Sequence, residues 1–180
     1  MRDVAHCRNW LVDMDGVLVR DDAMVEGANE FLDRLRATGR RFLVLTNNSL
    51  YAPDDLRARL AALGVEVESD QLWTSALATA RFVATERPGA RAFVIGAPSL
   101  HDALADAGIT EDADDPDYVV LGETPDLTLA EVTTAVRLVA RGAGFVASNP
   151  EPTGPSPDGP LPGVGATAAM IERAAGVAPY

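Results

Sequence analysis

The stretch that most constrains the fold is an apolar run near the start of the chain that ends in two carboxylates. Residues 10–12 are apolar, and Asp13 and Asp15 follow them one residue apart. Gly16 and a second apolar run, residues 17–19, come next. A buried strand that stops in this way presents acidic groups at the carboxyl edge of a sheet, where open α/β sheets bind their ligands. On an extended chain both carboxylates lie on the same side and can serve one site.

Strand-like and helix-like runs alternate along the chain, which predicts a parallel α/β fold. After the opening strand, the predicted strands are residues 41–45, 92–95, 118–121 and 145–147. The predicted helices are residues 27–36, 53–63, 75–86, 100–107, 129–140 and 166–175. The proline- and glycine-rich stretch 149–165 predicts a long loop, and loops of this length are commonly functional or disordered.

Charge and composition exclude several classes of partner. The formal net charge is −12 over 180 residues, which repels a phosphate backbone, so we expect no nucleic-acid partner. No apolar run approaches the roughly 20 residues of a membrane span, and the acidic start without a long apolar stretch leads us to expect no secretory signal. The single cysteine, Cys7, fits a reducing compartment, so we expect a cytoplasmic protein. All 15 basic residues are arginine, so no lysine can steady a phosphate.

The acidic pair has a specific chemical interpretation. One carboxylate can attack phosphorus and bind Mg²⁺ while the other handles the proton of the leaving group. We therefore predict metal-assisted phosphoryl chemistry at Asp13 and Asp15. The alternative is an Asx-type turn that only caps the strand.

Two further polar clusters follow predicted strands. Thr46, Asn47 and Asn48 offer a hydroxyl and backbone N–H groups, which suit the oxygens of an incoming phosphoryl group. Glu123 and Asp126 form a second acidic cluster that would complete a metal site if the whole chain were one sheet. The alternative is a helix-entry loop whose acids are favoured by the helix dipole, and spacing alone leaves both interpretations open.

These residues resemble the haloacid dehalogenase-like hydrolase superfamily, and more narrowly its NagD-like, para-nitrophenyl phosphatase-like branch, which is class IIA with a C2-type cap. Residues 13–18 resemble the first motif of the superfamily, and residues 46–49 resemble the second motif of the branch. Further matches follow in the same order at residues 74–80, 94–96, 119–122, 148–150, 158–159 and 162–165. The resemblance covers nearly the whole chain.

The resemblance implies a Mg²⁺-dependent phosphatase of small phosphorylated metabolites that works through an aspartyl-phosphate. Asp13 would be the nucleophile, and Asp15 the general acid and then the general base. Thr46 and the Asn47 amide would hold the phosphoryl oxygens. Mg²⁺ would be bound by the Asp13 side chain and the Asp15 backbone carbonyl.

The resemblance also implies a Rossmann-like core with an inserted α/β cap. Residues 1–80 would be the N-terminal part of the core, residues 81–176 the cap, and residues 177–180 the start of the return to the core. The loop from Asn149 to Asp158 would face the site and influence substrate choice, with Glu151 where relatives often carry aspartate. This placement takes Glu123 and Asp126 away from the metal.

The third and fourth motifs of the branch would follow Tyr180. They are a lysine in a Gly-Lys-Pro turn and a Gly-Asp with a further aspartate for the metal, and the 180 residues contain neither. We therefore expect a partial chain with little activity of its own. Such a chain would expose the edge of an unfinished sheet, which favours aggregation or mispairing.

Two other functions stay open on the sequence. The chain could be a complete, capless phosphatase with Glu123 and Asp126 as metal ligands. It could instead be a non-catalytic phosphoacceptor or ligand-binding module that takes phosphate on an aspartate without turnover. A small phosphorylated substrate is the expected partner, and spare sheet edges are compatible with a homodimer.

Overall fold

The chain forms two compact units in the computed structural model, which describes residues 7–20, 22–154 and 159–180. The first unit comprises the residues up to Thr46 together with residues 52–74, and the second unit comprises residues 47–51 and 75–180. Each unit contains its own parallel sheet. The predicted parallel α/β fold is confirmed, whereas the core and cap boundaries at residues 80, 81 and 176 stay predictions.

The sheet of the first unit has three parallel strands in the order β1-β4-β5. Its elements are β1 (Asn9–Asp13), β2 (Val19–Arg20), β3 (Ala23–Met24), α1 (Ala28–Ala37), β4 (Arg41–Thr46), α2 (Pro53–Ala62), a 3₁₀ turn (Ser69–Gln71) and β5 (Leu72–Thr74). Helix α2 begins where Pro53 fixes the first helical φ and two aspartates follow in the first turn. Helices α1 and α2 contact β4 and β5, respectively, and enclose a core with the buried strand residues.

The opposite face of this sheet is apolar and exposed. Leu11 pairs with Leu43, and Leu45 pairs with Trp73, so the four side chains share one face. Leu11 is 70% exposed and Trp73 is 38% exposed. Contiguous apolar surface of this kind marks a face that binds another surface or promotes association.

The sheet of the second unit has four parallel strands in the order β7-β6-β8-β9. Its elements are α3 (Ser75–Glu86), β6 (Arg91–Ile95), α4 (Pro98–Asp106), β7 (Thr110–Glu111), β8 (Tyr118–Leu121), α5 (Leu129–Ala140), β9 (Gly144–Ala147), β10 (Thr153–Gly154), β11 (Leu161–Pro162) and α6 (Val164–Ala175). Helices α3 and α4 share one apolar cluster with the sheet, and α5 and α6 share a second cluster. The second unit is therefore a three-layer α/β/α arrangement.

Some element boundaries differ from the sequence-based expectation. Helix α4 begins at Pro98, because proline is favoured at the first helical position. Helix α6 begins at Val164. The predicted loop 149–165 contains an antiparallel pair, β10 with β11. After α6, Tyr180 pairs along β9, donating to the Phe145 carbonyl at 2.9 Å. Among the described residues no helix is long and apolar enough to cross a membrane.

The exposed sheet face predicts how the 180-residue chain behaves in solution. Leu11→Lys should lower both self-association and binding of a hydrophobic dye, because a charge then interrupts the apolar surface. The free energy of unfolding should change by less than about 0.5 kcal/mol, as for most surface substitutions. Light scattering, dye fluorescence and urea unfolding measure these effects. Leu161→Lys is the matched control, because Leu161 on β11 is 53% exposed. An equal effect of this control would contradict the conclusion that the exposed sheet face drives self-association.

Candidate active site

The acidic pair lies at the carboxyl end of β1, and both carboxylates are exposed. Val12 and Met14 are buried, whereas Asp13 and Asp15 are exposed. The Met14 amide donates to the Leu45 carbonyl at 3.0 Å, so pairing with β4 continues past the last residue of β1. Asp13 is the last residue of β1, and Asp15 follows two residues later in an isolated bridge to Val19.

A tight turn fixes the chain directly after the pair. Gly16 has a φ of 77°, a left-handed conformation that glycine adopts without steric cost. Its amide donates to the Val19 carbonyl at 2.7 Å, and the Leu18 amide donates to the Met14 carbonyl at 2.9 Å. Leu18 is fully buried and anchors the turn in the core. The backbone that carries both carboxylates is therefore held on each side.

Thr46 ends β4, the strand next to β1. Its side chain is buried, and its hydroxyl lies 3.4 Å from Asp15 Oδ2, a long hydrogen bond in which the hydroxyl donates. Asp13 Oδ1 accepts the Met14 N–H at 2.9 Å. Asp13, Asp15 and Thr46 thus share the carboxyl edge of the sheet in the first unit.

Asn47 and Asn48 lie in the loop 47–51, which belongs to the second unit. The Asn47 carbonyl accepts hydrogen bonds from Ser75 Oγ at 2.7 Å and from Asn149 Nδ2 at 3.1 Å. Asn48 Oδ1 accepts the amides of residues 50 and 51 at 3.1 and 3.0 Å, an Asx turn. This loop therefore has a defined backbone conformation within the second unit.

The loop that begins at Asn149, which is predicted to influence substrate choice, also contacts Asn47. Asn47 Nδ2 donates to Glu151 Oε1 at 2.8 Å, and the Glu151 amide donates to Asn149 Oδ1 at 3.1 Å. Asn149 is buried, while the side chains of Asn47 and Glu151 are exposed. The structure therefore brings Asn47, Asn149 and Glu151 together. Asp158, the last residue predicted for this loop, lies outside the described residues.

Two glycines at the start of α6 hold the backbone of this loop. A Cβ on Gly163 would lie 2.4 Å from the Glu151 carbonyl oxygen, and one on Gly165 would lie 2.2 Å from the Pro150 carbonyl oxygen. The Gly165 amide donates to the Glu151 carbonyl at 2.8 Å. Only glycine permits this approach, which sets the position of Glu151.

Gly165→Ala tests this close packing. The added methyl group should lower the free energy of unfolding by about 1–3 kcal/mol, because backbone rather than a flexible side chain must move. Gly154→Ala is the control, since a Cβ there meets nothing within 4 Å. Chemical unfolding of both variants gives the comparison. Equal free energies of unfolding for the two variants would show that the Pro150 carbonyl can move away from the added methyl group without loss of stability.

Glu123 and Asp126 occupy the entry to α5 and have different surroundings. The Glu123 carboxylate accepts hydrogen bonds from the Ser49 amide and hydroxyl. Asp126 is exposed. Within the described ranges, no group of three or more His, Cys, Asp or Glu side chains is placed to hold a metal ion. Sequence reasoning missed the role of Ser49, because a buried serine in a loop carries no periodic signal.

The donor set at the acidic pair suits a hard cation. Two carboxylates and a backbone carbonyl are oxygen ligands, and Mg²⁺ is commonly bound by one or two carboxylates with waters and substrate phosphate filling the other positions. Asp13 and Asp15 are exposed at the strand end and meet that requirement.

The fold and the site together define the class of protein: an α/β protein with an acidic site at the carboxyl edge of a parallel sheet. The model of the haloacid dehalogenase-like hydrolase family matches residues 10–110. The chain belongs to this family, and within it to the NagD-like branch. The predicted family is confirmed.

Three relatives illustrate the similarity. A dihydroxyacetone phosphatase from Corynebacterium glutamicum is 45% identical over 173 residues, which are 96% of this chain and 62% of that protein. NagD from E. coli K-12 superposes with a TM-score of 0.91 at 37% identity, over 97% of this chain and 68% of NagD. A glycerol phosphate phosphatase from Mycobacterium tuberculosis, in complex with magnesium, superposes with a TM-score of 0.90 at 30% identity, over 98% of this chain and 54% of that protein. The chain thus spans less than two thirds of the curated relative from Corynebacterium.

Proposed function

We propose that this chain carries the nucleophile, the acid–base residue and the phosphate-binding loop of a Mg²⁺-dependent phosphatase of small phosphorylated metabolites. The observation that carries the proposal is the position of Asp13 and Asp15 at the carboxyl end of β1, with the Thr46 hydroxyl 3.4 Å from Asp15. The names of the relatives, which are phosphatases, support the reaction type.

The proposed reaction has two displacement steps. An Asp13 oxygen attacks phosphorus, the bond from phosphorus to the ester oxygen breaks, and Asp15 protonates the departing alcohol. Asp15 then removes a proton from water, whose oxygen attacks the phosphorus of the aspartyl-phosphate. The bond to Asp13 breaks, and inorganic phosphate is released. The exposure of both carboxylates allows substrate and water to reach them.

Charge on the phosphoryl oxygens needs compensation in both steps. We assign this role to the Thr46 hydroxyl and to the amides of Asn47 and Asn48, whose dipoles would face the phosphoryl group. Mg²⁺, held by the Asp13 side chain and the Asp15 carbonyl, would neutralise part of the negative charge. The magnesium complex of the mycobacterial relative supports the choice of metal.

Asp13→Asn should abolish phosphate release from para-nitrophenyl phosphate by the natural-length protein. The amide is a poor nucleophile and a weaker metal ligand, so the rate should fall by at least about 10³-fold. Asp126→Asn should leave the rate within about twofold, because that exposed acid has no role in the proposed site. Phosphate release at saturating Mg²⁺ is the measurement, and a wild-type rate in Asp13→Asn would contradict the proposal.

The second unit is proposed as the cap, with substrate choice in the loop that contains Glu151. The Glu151 carboxylate lies 2.8 Å from the side-chain amide of Asn47, the residue after Thr46. A fixed carboxylate is a good acceptor for a substrate hydroxyl. The name of the Corynebacterium relative points to a small hydroxylated phosphate ester as the substrate class. The single cysteine supports a reducing setting, the cytoplasm.

Glu151→Gln separates recognition from chemistry. The value of kcat/KM for dihydroxyacetone phosphate should fall by about tenfold, because a charge-assisted hydrogen bond to the hydroxyl becomes a neutral one. The value for para-nitrophenyl phosphate, which has no such hydroxyl, should change by less than about twofold. Steady-state kinetics with both substrates measures this difference. Equal losses of kcat/KM for the two substrates would show that Glu151 does not select the substrate.

A further inference from the structure

Ser49 of the loop 47–51 is 0% exposed, and its backbone and side chain both form hydrogen bonds. Its amide and hydroxyl both donate to Glu123 Oε2, at 2.6 and 3.1 Å. Its hydroxyl oxygen accepts the Glu123 amide at 2.9 Å. Glu123 and Ser49 therefore form a reciprocal clamp in which one carboxylate oxygen satisfies two buried donors.

The rest of Ser49 is held from the same sheet edge. Its carbonyl accepts the Ser99 hydroxyl at 2.5 Å, and Ser148 Oγ lies 3.4 Å from Ser49 Oγ. Ser99 lies in the first turn of α4, whereas Glu123 and Ser148 follow β8 and β9, respectively. A Cβ on Gly122 would lie 3.2 Å from Ser49 Oγ and 2.6 Å from Leu100 Cδ2, so a small residue is needed there. Two strand ends and the first turn of α4 in the second unit thus converge on one loop residue.

These hydrogen bonds fix the orientation of two successive peptides in the loop. In a planar trans peptide the carbonyl and the following N–H point in opposite directions. The Asn47 carbonyl is held by Ser75 and Asn149, so the Asn48 N–H points away from those two residues. The next peptide is fixed in turn, because the Ser49 amide is bound to Glu123.

We propose that Glu123 is a positioning residue whose carboxylate, by holding Ser49, fixes the loop backbone and with it the orientation of the Asn48 amide, which would bind the phosphoryl group. This inference rests on the proposed function. Glu123 acts through Ser49 and contacts neither substrate nor metal. It would make phosphate affinity depend on a side chain of the second unit that lies outside the sequence motifs of the reaction.

The test compares four variants of the natural-length protein. Glu123→Ala removes the clamp, and Glu123→Gln keeps an oxygen that can accept the Ser49 amide. Leu138→Ala, at a buried position of α5, is a control for lost stability. Asp126→Asn is a control for lost charge. Calorimetry of inorganic phosphate binding, hydrogen exchange of residues 47–51 and thermal unfolding are measured for each.

Glu123→Ala should weaken phosphate binding about tenfold and speed exchange in residues 47–51 by a similar factor, the effect of one lost charge-assisted hydrogen bond. Glu123→Gln should rescue both to within about threefold. Leu138→Ala should lower the melting temperature without changing phosphate binding or hydrogen exchange in residues 47–51. Asp126→Asn should match the wild type. In Glu123→Ala the KM for para-nitrophenyl phosphate should rise more than kcat falls.

Two results would overturn this inference and leave the proposed function intact. The first is a Glu123→Ala protein with wild-type phosphate affinity and loop exchange, and the second is a Leu138→Ala protein that reproduces its defects. A wild-type protein that binds no phosphate would instead refute the proposed function, and this inference with it. Ser49→Ala combined with Glu123→Ala should be less than additive in phosphate affinity, and full additivity would count against the clamp.

Discussion

The parallel pairing of β1 with β4 is the constraint on which the candidate site depends. The register pairs Asp13 with Leu45, so the two strands end at the same edge of the sheet. The hydrogen bond from the Met14 amide to the Leu45 carbonyl extends that pairing by one residue, up to the residue before Asp15. Parallel neighbours necessarily bring their carboxyl ends together, so a dyad on one strand and a hydroxyl on the next form one site. No long-range side-chain contact is needed to assemble it.

The second unit stabilises its loop by different means. There the backbone of residues 47–51 adopts no regular structure, so each of its polar groups needs an individual partner. Side chains at the strand ends supply these partners, and close packing at Gly163 and Gly165 fixes the neighbouring loop that carries Glu151. Such a loop is only as rigid as its hydrogen bonds. The Glu123 substitutions test whether phosphate affinity depends on these hydrogen bonds.

The sequence predicted the features that arise from local periodicity. Strand and helix patterns located β8 and α5 to the residue. That Asp13 and Asp15 share one side of the chain stays a prediction. The start of α4 was missed, because Pro98 and Ser99 are residue types that are as common in loops as at the start of a helix. The roles of Ser49, Glu123 and Gly165 depend on contacts between residues 74 positions apart or on the absence of a Cβ. Neither produces a pattern along the chain.

Electrostatics explains why the orientation of amides matters so much here. The chain has a net charge of −12 and no lysine, and the candidate site in the first unit contains Asp13 and Asp15. A phosphate ester brings further negative charge to these carboxylates. Oriented backbone amides and a divalent cation are compensating groups that do not require a basic side chain. A loop amide turned away from the phosphoryl group would remove one of these few favourable terms. In the proposed reaction, the hydrogen bonds that hold Ser49 would serve this electrostatic compensation as well as the packing of the loop.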